Sequence, residues 1–167
     1  MYYFAYGSNL FRRRIEQRLG RCRFYGTGWL DGYTLRFHKM SKDGSGKCNV
    51  YKTQHKADRV YGALFDLSDK QKAALDGFEG PGYDSVAVLI NSQSGIINAQ
   101  TYVAKPNNIE PSLIPFDWYK AFVVEGAKEV HLPGEYIRQL EHVNSTEDVD
   151  HVRSHSNWSL LSNGDGD

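Results

Sequence analysis

Two short segments of this sequence combine residue types that can do chemistry. The first is Tyr6-Gly7-Ser8-Asn9, which lies between a run of aromatics and the start of an arginine-rich stretch. A glycine at the end of a strand lets the backbone come close to a ligand. The unpaired N–H groups at the start of a helix can then bind a carboxylate. The second is Phe78-Glu79-Gly80-Pro81-Gly82-Tyr83. A glutamate beside an aromatic and before a glycine–proline turn can sit in an apolar mouth, where desolvation raises its pKa towards that of a working general acid–base. Each segment also has a plainer reading. The first is then a strand-to-helix turn with an asparagine cap, and the second a solvated glutamate after a helix.

The elements that must position these residues follow from pattern and punctuation. Residues 2–6 read as a short buried strand. Asn9 is a candidate N-cap for a helix over about 10–19, stopped by Gly20. Strands are expected over 22–30, 33–40, 47–53 and 60–67, separated by Asp31-Gly32 and by Lys42-Asp43-Gly44-Ser45-Gly46. Ser68 with Gln71 forms a capping-box signature for a short helix to about Leu75, which the glycines and proline of 77–82 are expected to end. Strands at 83–91 and 96–104 follow, then a proline-rich connection over 105–115 and helices over 116–130 and 134–143. The stretch 144–167 is polar and aperiodic, and reads as a loosely held tail after a single domain spanning 1–143. Many strands with few helices predict an α+β fold, its mixed sheet curling towards a small barrel.

Composition narrows the function. The 167 residues suit one domain, and twenty basic residues balance twenty acidic ones. No global field therefore draws in nucleic acid or an anionic membrane. The local run Arg12-Arg13-Arg14, with Arg18, Arg21 and Arg23 following, is interrupted by Ile15 and Leu19, and reads as the solvated face of an amphipathic helix. Cys22 and Cys48 have neither disulfide-framework nor zinc-site spacing. Of six histidines, only His151 and His155 are four residues apart, within the polar stretch. No metal or other cofactor is expected. No apolar run reaches the roughly 18 residues needed to cross a bilayer. The chain opens directly into Tyr2-Tyr3-Phe4-Ala5-Tyr6 rather than a signal segment, so it is expected to remain in the cytoplasm, as a monomer or homodimer.

Taken together, the segments resemble the γ-glutamylcyclotransferase family, of the AIG2-like superfamily. Phe4-Ala5-Tyr6-Gly7-Ser8-Asn9-Leu10 is similar to that family's N-terminal signature. Leu75-Asp76-Gly77-Phe78-Glu79-Gly80 resembles the segment bearing its catalytic glutamate, with Glu79 at that position. Tyr83, Tyr102 after Thr101, and Tyr119 match further tyrosines. Gly126-Ala127-Lys128-Glu129, Leu132-Pro133 and Glu135-Tyr136 resemble its C-terminal helical segment. The resemblance runs in order over residues 2–141. The middle strands and the 105–115 loop show no close match.

The resemblance implies a metal-independent enzyme of glutathione metabolism that releases 5-oxoproline from a γ-glutamyl amide by attack of the substrate's own α-nitrogen. It assigns proton transfer to Glu79. It assigns substrate binding to Tyr6, Gly7, Ser8, Asn9 and Leu10, with Tyr83, Tyr102 and Tyr119 lining the pocket. Two alternatives remain at this level. One is a related cyclotransferase acting on γ-glutamyl-ε-lysine or a γ-glutamyl-protected intermediate. The other is a binding module without catalysis.

Overall fold

A computed structural model describes residues 1–162. Five strands close a small barrel: β1 (Tyr2–Ala5), β2 (Arg23–Asp31), β5 (Arg59–Asp66), β6 (Tyr83–Ser92) and β7 (Gly95–Ala104), in the order β1-β5-β2-β6-β7. Its pairings are antiparallel except where β1 meets β7, parallel at Tyr3 and Gln100. Closure leaves no open sheet edge in the barrel. Strands β3 (Tyr33–Met40) and β4 (Gly46–Lys52) form a separate hairpin. Buried Asn49 ties it to the barrel, its Oδ1 accepting the Ala104 N–H at 2.8 Å. The α+β class and the curled, barrel-like sheet are as the strand pattern predicts.

The helices are α1 (Arg12–Leu19), α2 (Asp69–Glu79), α3 (Asp117–Glu129), α4 (Gly134–Glu141) and α5 (His151–Ser162). The core joins barrel residues such as Phe4, Leu64 and Ile90 to Leu10, Ile15, Leu75 and Phe122. Helix α3 presses against the short 3₁₀ turn Ser8–Leu10 at Gly126, where a Cβ would stand 2.4 Å from the Phe11 nitrogen. Only a residue without a side chain permits that approach, which fixes the turn against the helical layer.

Three local expectations change. Asn9 is not a helix cap: it lies within the 3₁₀ turn, and α1 starts after Phe11. Helix α2 does have the Ser68–Gln71 capping box, but it continues past Leu75 through Gly77 to Glu79. A glycine inside a helix costs about 1 kcal/mol. Here buried Leu75, the Lys72–Asp76 ion pair at 2.5 Å and the Tyr102 hydroxyl donating to Asp76 at 2.7 Å hold the last turn. Gly80, at φ +70°, then ends it with its N–H on the Asp76 carbonyl. Finally, the stretch after Val143 carries helix α5 rather than irregular chain. Asp148 anchors it, accepting from the Trp118 indole at 2.9 Å and from the Arg153 guanidinium. Residues 163–167 of the expected tail lie outside the described residues. No helix among the described residues is long and apolar enough to cross a membrane.

Candidate active site

The site is built where β1 ends, at the mouth of the barrel. Strand β1 is buried from Tyr3 onwards and delivers the chain into Tyr6-Gly7, after which the 3₁₀ turn reverses it. Helix α2 brings Glu79 to the same point from the other side, because its final turn ends there. A narrow recess results, lined by Tyr3, Tyr6, Gly7, Ser8, Asn9, Cys48, Glu79, Tyr83, Tyr102 and Tyr119. Glu79 and every expected binding residue but one therefore come together. Leu10 is the exception: its side chain is fully buried in the core and its N–H is taken by the Gly7 carbonyl at 2.9 Å.

Asn9 organises the polar side of the recess. Its Nδ2 donates to Glu79 Oε1 and to the Tyr3 hydroxyl, each at 3.0 Å, and its Oδ1 accepts from Arg18 Nη1 at 2.9 Å. Arg18 also stands 3.6 Å from Glu79 Oε1. The Glu79 side chain is only 16% exposed. Burial raises its pKa above the ordinary carboxylate value, against the lowering pull of Arg18, the Asn9 hydrogen bond, Lys39 and Arg14. The two effects oppose each other, and burial is the larger.

The tyrosines differ in how they spend their protons. Tyr6 donates to the Tyr102 carbonyl, Tyr83 to the Cys48 carbonyl at 2.7 Å, and Tyr102 to Asp76. Tyr3 and Tyr119 instead accept, from Asn9 and from the Cys48 N–H at 3.1 Å. The Tyr3 proton has no hydrogen-bond acceptor among the described residues, while the Tyr119 hydroxyl also faces the Cys48 thiol. Burial pushes the phenols of Tyr3, Tyr6, Tyr83 and Tyr119 up, so all four remain neutral. Cys48 is a free thiol in the same wall, pushed up to about 12 by burial. The nucleophilic thiolate is therefore scarce at neutral pH, which sets this cysteine apart from activated ones.

The bovine protein named gamma-glutamylcyclotransferase is 32% identical over 150 residues, which are 84% of this chain and 77% of that one. The chain belongs to the γ-glutamylcyclotransferase family. It is an enzyme of that family. The human gamma-glutamylcyclotransferase is 30% identical over 148 residues, covering 83% of this chain and 76% of its own. A solved structure titled gamma-glutamyl cyclotransferase superposes with a TM-score of 0.85 at 27% identity, covering 98% of each chain. The AIG2-like family model matches residues 59–140. That segment includes Glu79, Tyr83, Tyr102 and Tyr119 but starts after the Tyr6–Asn9 loop.

Several residues of this candidate site escape a reading by motif. Tyr3 looks like one more strand aromatic, and Cys48 sits in a strand without a recognisable signature. The arginine run is a correction. Arg12 is 57% exposed at its side chain, as expected of a solvated face, but Arg18 is 17% exposed and bound to Asn9. Arg14 turns the same way. The spacing of Arg14 and Arg18, one helical turn apart, was the available signal.

Proposed function

We propose that the protein converts γ-glutamyl amides to 5-oxoproline and the free amine, with Glu79 as the proton carrier. The observation that carries this reading is the 3.0 Å link from Asn9 to Glu79, which couples the Gly7–Asn9 turn to a desolvated carboxylate across one recess. The names of the relatives support the same activity.

The chemistry is self-contained. The attacking nitrogen passes from an α-ammonium to a lactam N–H and so loses two protons. The departing nitrogen passes from an amide N–H to an ammonium and gains two. The new C–N bond forms as the amide C–N bond breaks, and neither water nor an external acid is consumed. Glu79, ionised at the outset, takes a proton from the α-ammonium and frees the lone pair for attack on the γ-carbonyl. It then returns a proton to the departing nitrogen. Such transfer contributes roughly 10²–10⁴ in rate, and the tether of nucleophile to electrophile supplies much of the rest.

Ser8 and Asn9 lead the 3₁₀ turn, so the turn itself offers no partner to their N–H groups, which suits them to the α-carboxylate. Tyr3 and Tyr119, with protons to give, suit the oxygen of the γ-carbonyl as charge develops there. The test is 5-oxoproline formation from γ-glutamyl-alanine by the wild type and by Glu79→Gln. Product from the wild type, with turnover lowered at least a hundredfold in the variant, is expected. Equal rates would remove Glu79 from the mechanism.

A further inference from the structure

The recess opens on one side into a basin of about 400 Å³ whose walls include Arg14, Arg18, Lys39, Lys47 and Arg153. Ser8, Glu79, Tyr83 and Tyr119 line both spaces. With the γ-glutamyl unit at the Gly7–Asn9 turn and its γ-carbonyl at Glu79, as proposed above, the basin is the space left for the leaving amine. Nothing in the family resemblance describes that wall. It is assembled from α1, the β3–β4 hairpin and α5.

Three of the five cations are already matched. Arg18 faces Glu79 at 3.6 Å, Lys47 is 2.8 Å from Asp43, and Arg153 is paired with Asp148. Arg14 and Lys39 have no carboxylate within salt-bridge distance among the described residues. Arg14 donates through Nη1 to Asn157 at 3.0 Å and lies 4.7 Å from the Phe122 ring, while its Nε is buried with no partner. Burial brings its pKa down to about 10, with Arg18 adding to the fall. Lys39 rests 4.7 Å from the Tyr83 ring, and burial lowers its pKa too. Glu79 acts on both at longer range and Asp43 on Lys39, but neither cation has a direct ion-pair partner among the described residues. A partly desolvated cation without one is costly, and an anionic ligand relieves that cost.

We propose that the basin selects leaving amines with two carboxylates, so that the preferred substrates are γ-glutamyl conjugates of acidic amino acids. This rests on the cyclotransferase reading of the recess. Two cations without a direct ion-pair partner match two carboxylates. A neutral amino acid brings one. Free lysine departing through its ε-nitrogen also brings one, with an ammonium beside it that the basin's cations repel.

The test compares kcat/KM for 5-oxoproline release from γ-glutamyl-glutamate, γ-glutamyl-alanine and γ-glutamyl-ε-lysine. It uses the wild type, Arg14→Gln and Lys39→Gln. The wild type is expected to favour the glutamate conjugate over the alanine conjugate by roughly tenfold, the scale of one charge-assisted hydrogen bond, with the lysine conjugate last. Each substitution is expected to shrink the glutamate-to-alanine ratio, mainly through KM for the glutamate conjugate. Should Arg14→Gln fail to fold, Lys39→Gln, on the hairpin, gives the same reading alone. An alanine conjugate used as well as the glutamate conjugate, or a ratio untouched by Lys39→Gln, overturns the acidic preference and leaves the cyclotransferase reading standing. No 5-oxoproline from any of the three overturns both.

Discussion

Asn9 Nδ2 lies 3.0 Å from Glu79 Oε1 although the two residues are 70 positions apart, and the same amide holds the Tyr3 hydroxyl while its oxygen receives Arg18. One side chain thus sets the position of the proposed acid–base group and shares in setting its charge. Asn9→Asp replaces a donor with an anion at that spot, and a like charge disfavours ionisation of Glu79. The acid limb of the pH profile of kcat/KM is expected to move to higher pH in the variant. An unmoved limb would separate Asn9 from Glu79 in function.

Glu79 also carries a stability consequence. Its folded-state pKa is raised above 4.5 by burial, so the folded protein holds this proton more tightly than the unfolded chain does. The associated stability is fully present below the unfolded value and is lost as pH rises through the folded one. Glu79→Gln keeps the Oε1 acceptor for Asn9 and has no proton to lose. Its Tm is expected to exceed that of wild type above that window, and the gap to close at acid pH. A thermal melt series from acid to neutral pH checks this, and a variant less stable at neutral pH would mean that the Arg18 pairing outweighs desolvation.

Gly7 is open on its pocket side only as far as Cys48 allows. A Cβ there would stand 3.0 Å from Cys48 Cβ and 3.5 Å from the Tyr119 hydroxyl. Gly7→Val is expected to abolish activity by filling the recess. Overpacking adds a destabilisation of about 1–3 kcal/mol, measurable by urea denaturation. Normal kinetics in a folded variant would show that the loop is only a turn.

Asp148 ties α5 to the body of the protein. Its carboxyl is held down to about 2, first by Arg153 and then by the Trp118 indole. A depressed folded pKa means stability present above the unfolded value of 3.8 and lost as pH falls through about 2. Asp148→Asn is expected to lower Tm at neutral pH, to shift the Trp118 fluorescence, and to raise KM more than it lowers kcat, because Arg153 and Asn157 of α5 line the basin. Unchanged KM with a loosened α5 would show that the helix plays no part in binding.

The order of the strands and of the helices up to α4, and the Ser68–Gln71 cap, were legible in the residues themselves, whereas α5 was not and the pairing of the glycine-bearing loop with Glu79 came from the family resemblance. Hydrophobic period and turn chemistry are local, and so they survive in sequence. The extra turn of α2 was not legible, because the Tyr102–Asp76 contact that offsets Gly77 comes from a strand 26 residues away. The spacing of Arg14 and Arg18 put them on one face of α1 but did not say whether that face met water or a cavity. A helix whose arginines face a cavity and one whose arginines face water have the same sequence pattern. What decides is tertiary: Arg18 is held by Asn9 and faces Glu79, Arg14 is held by Asn157 of the α5 that Asp148 anchors, and Arg12 stays in solvent. Sequence determined which groups the site has. Packing between distant segments decided which of them are desolvated, and therefore which can hold a proton or call for a counter-ion.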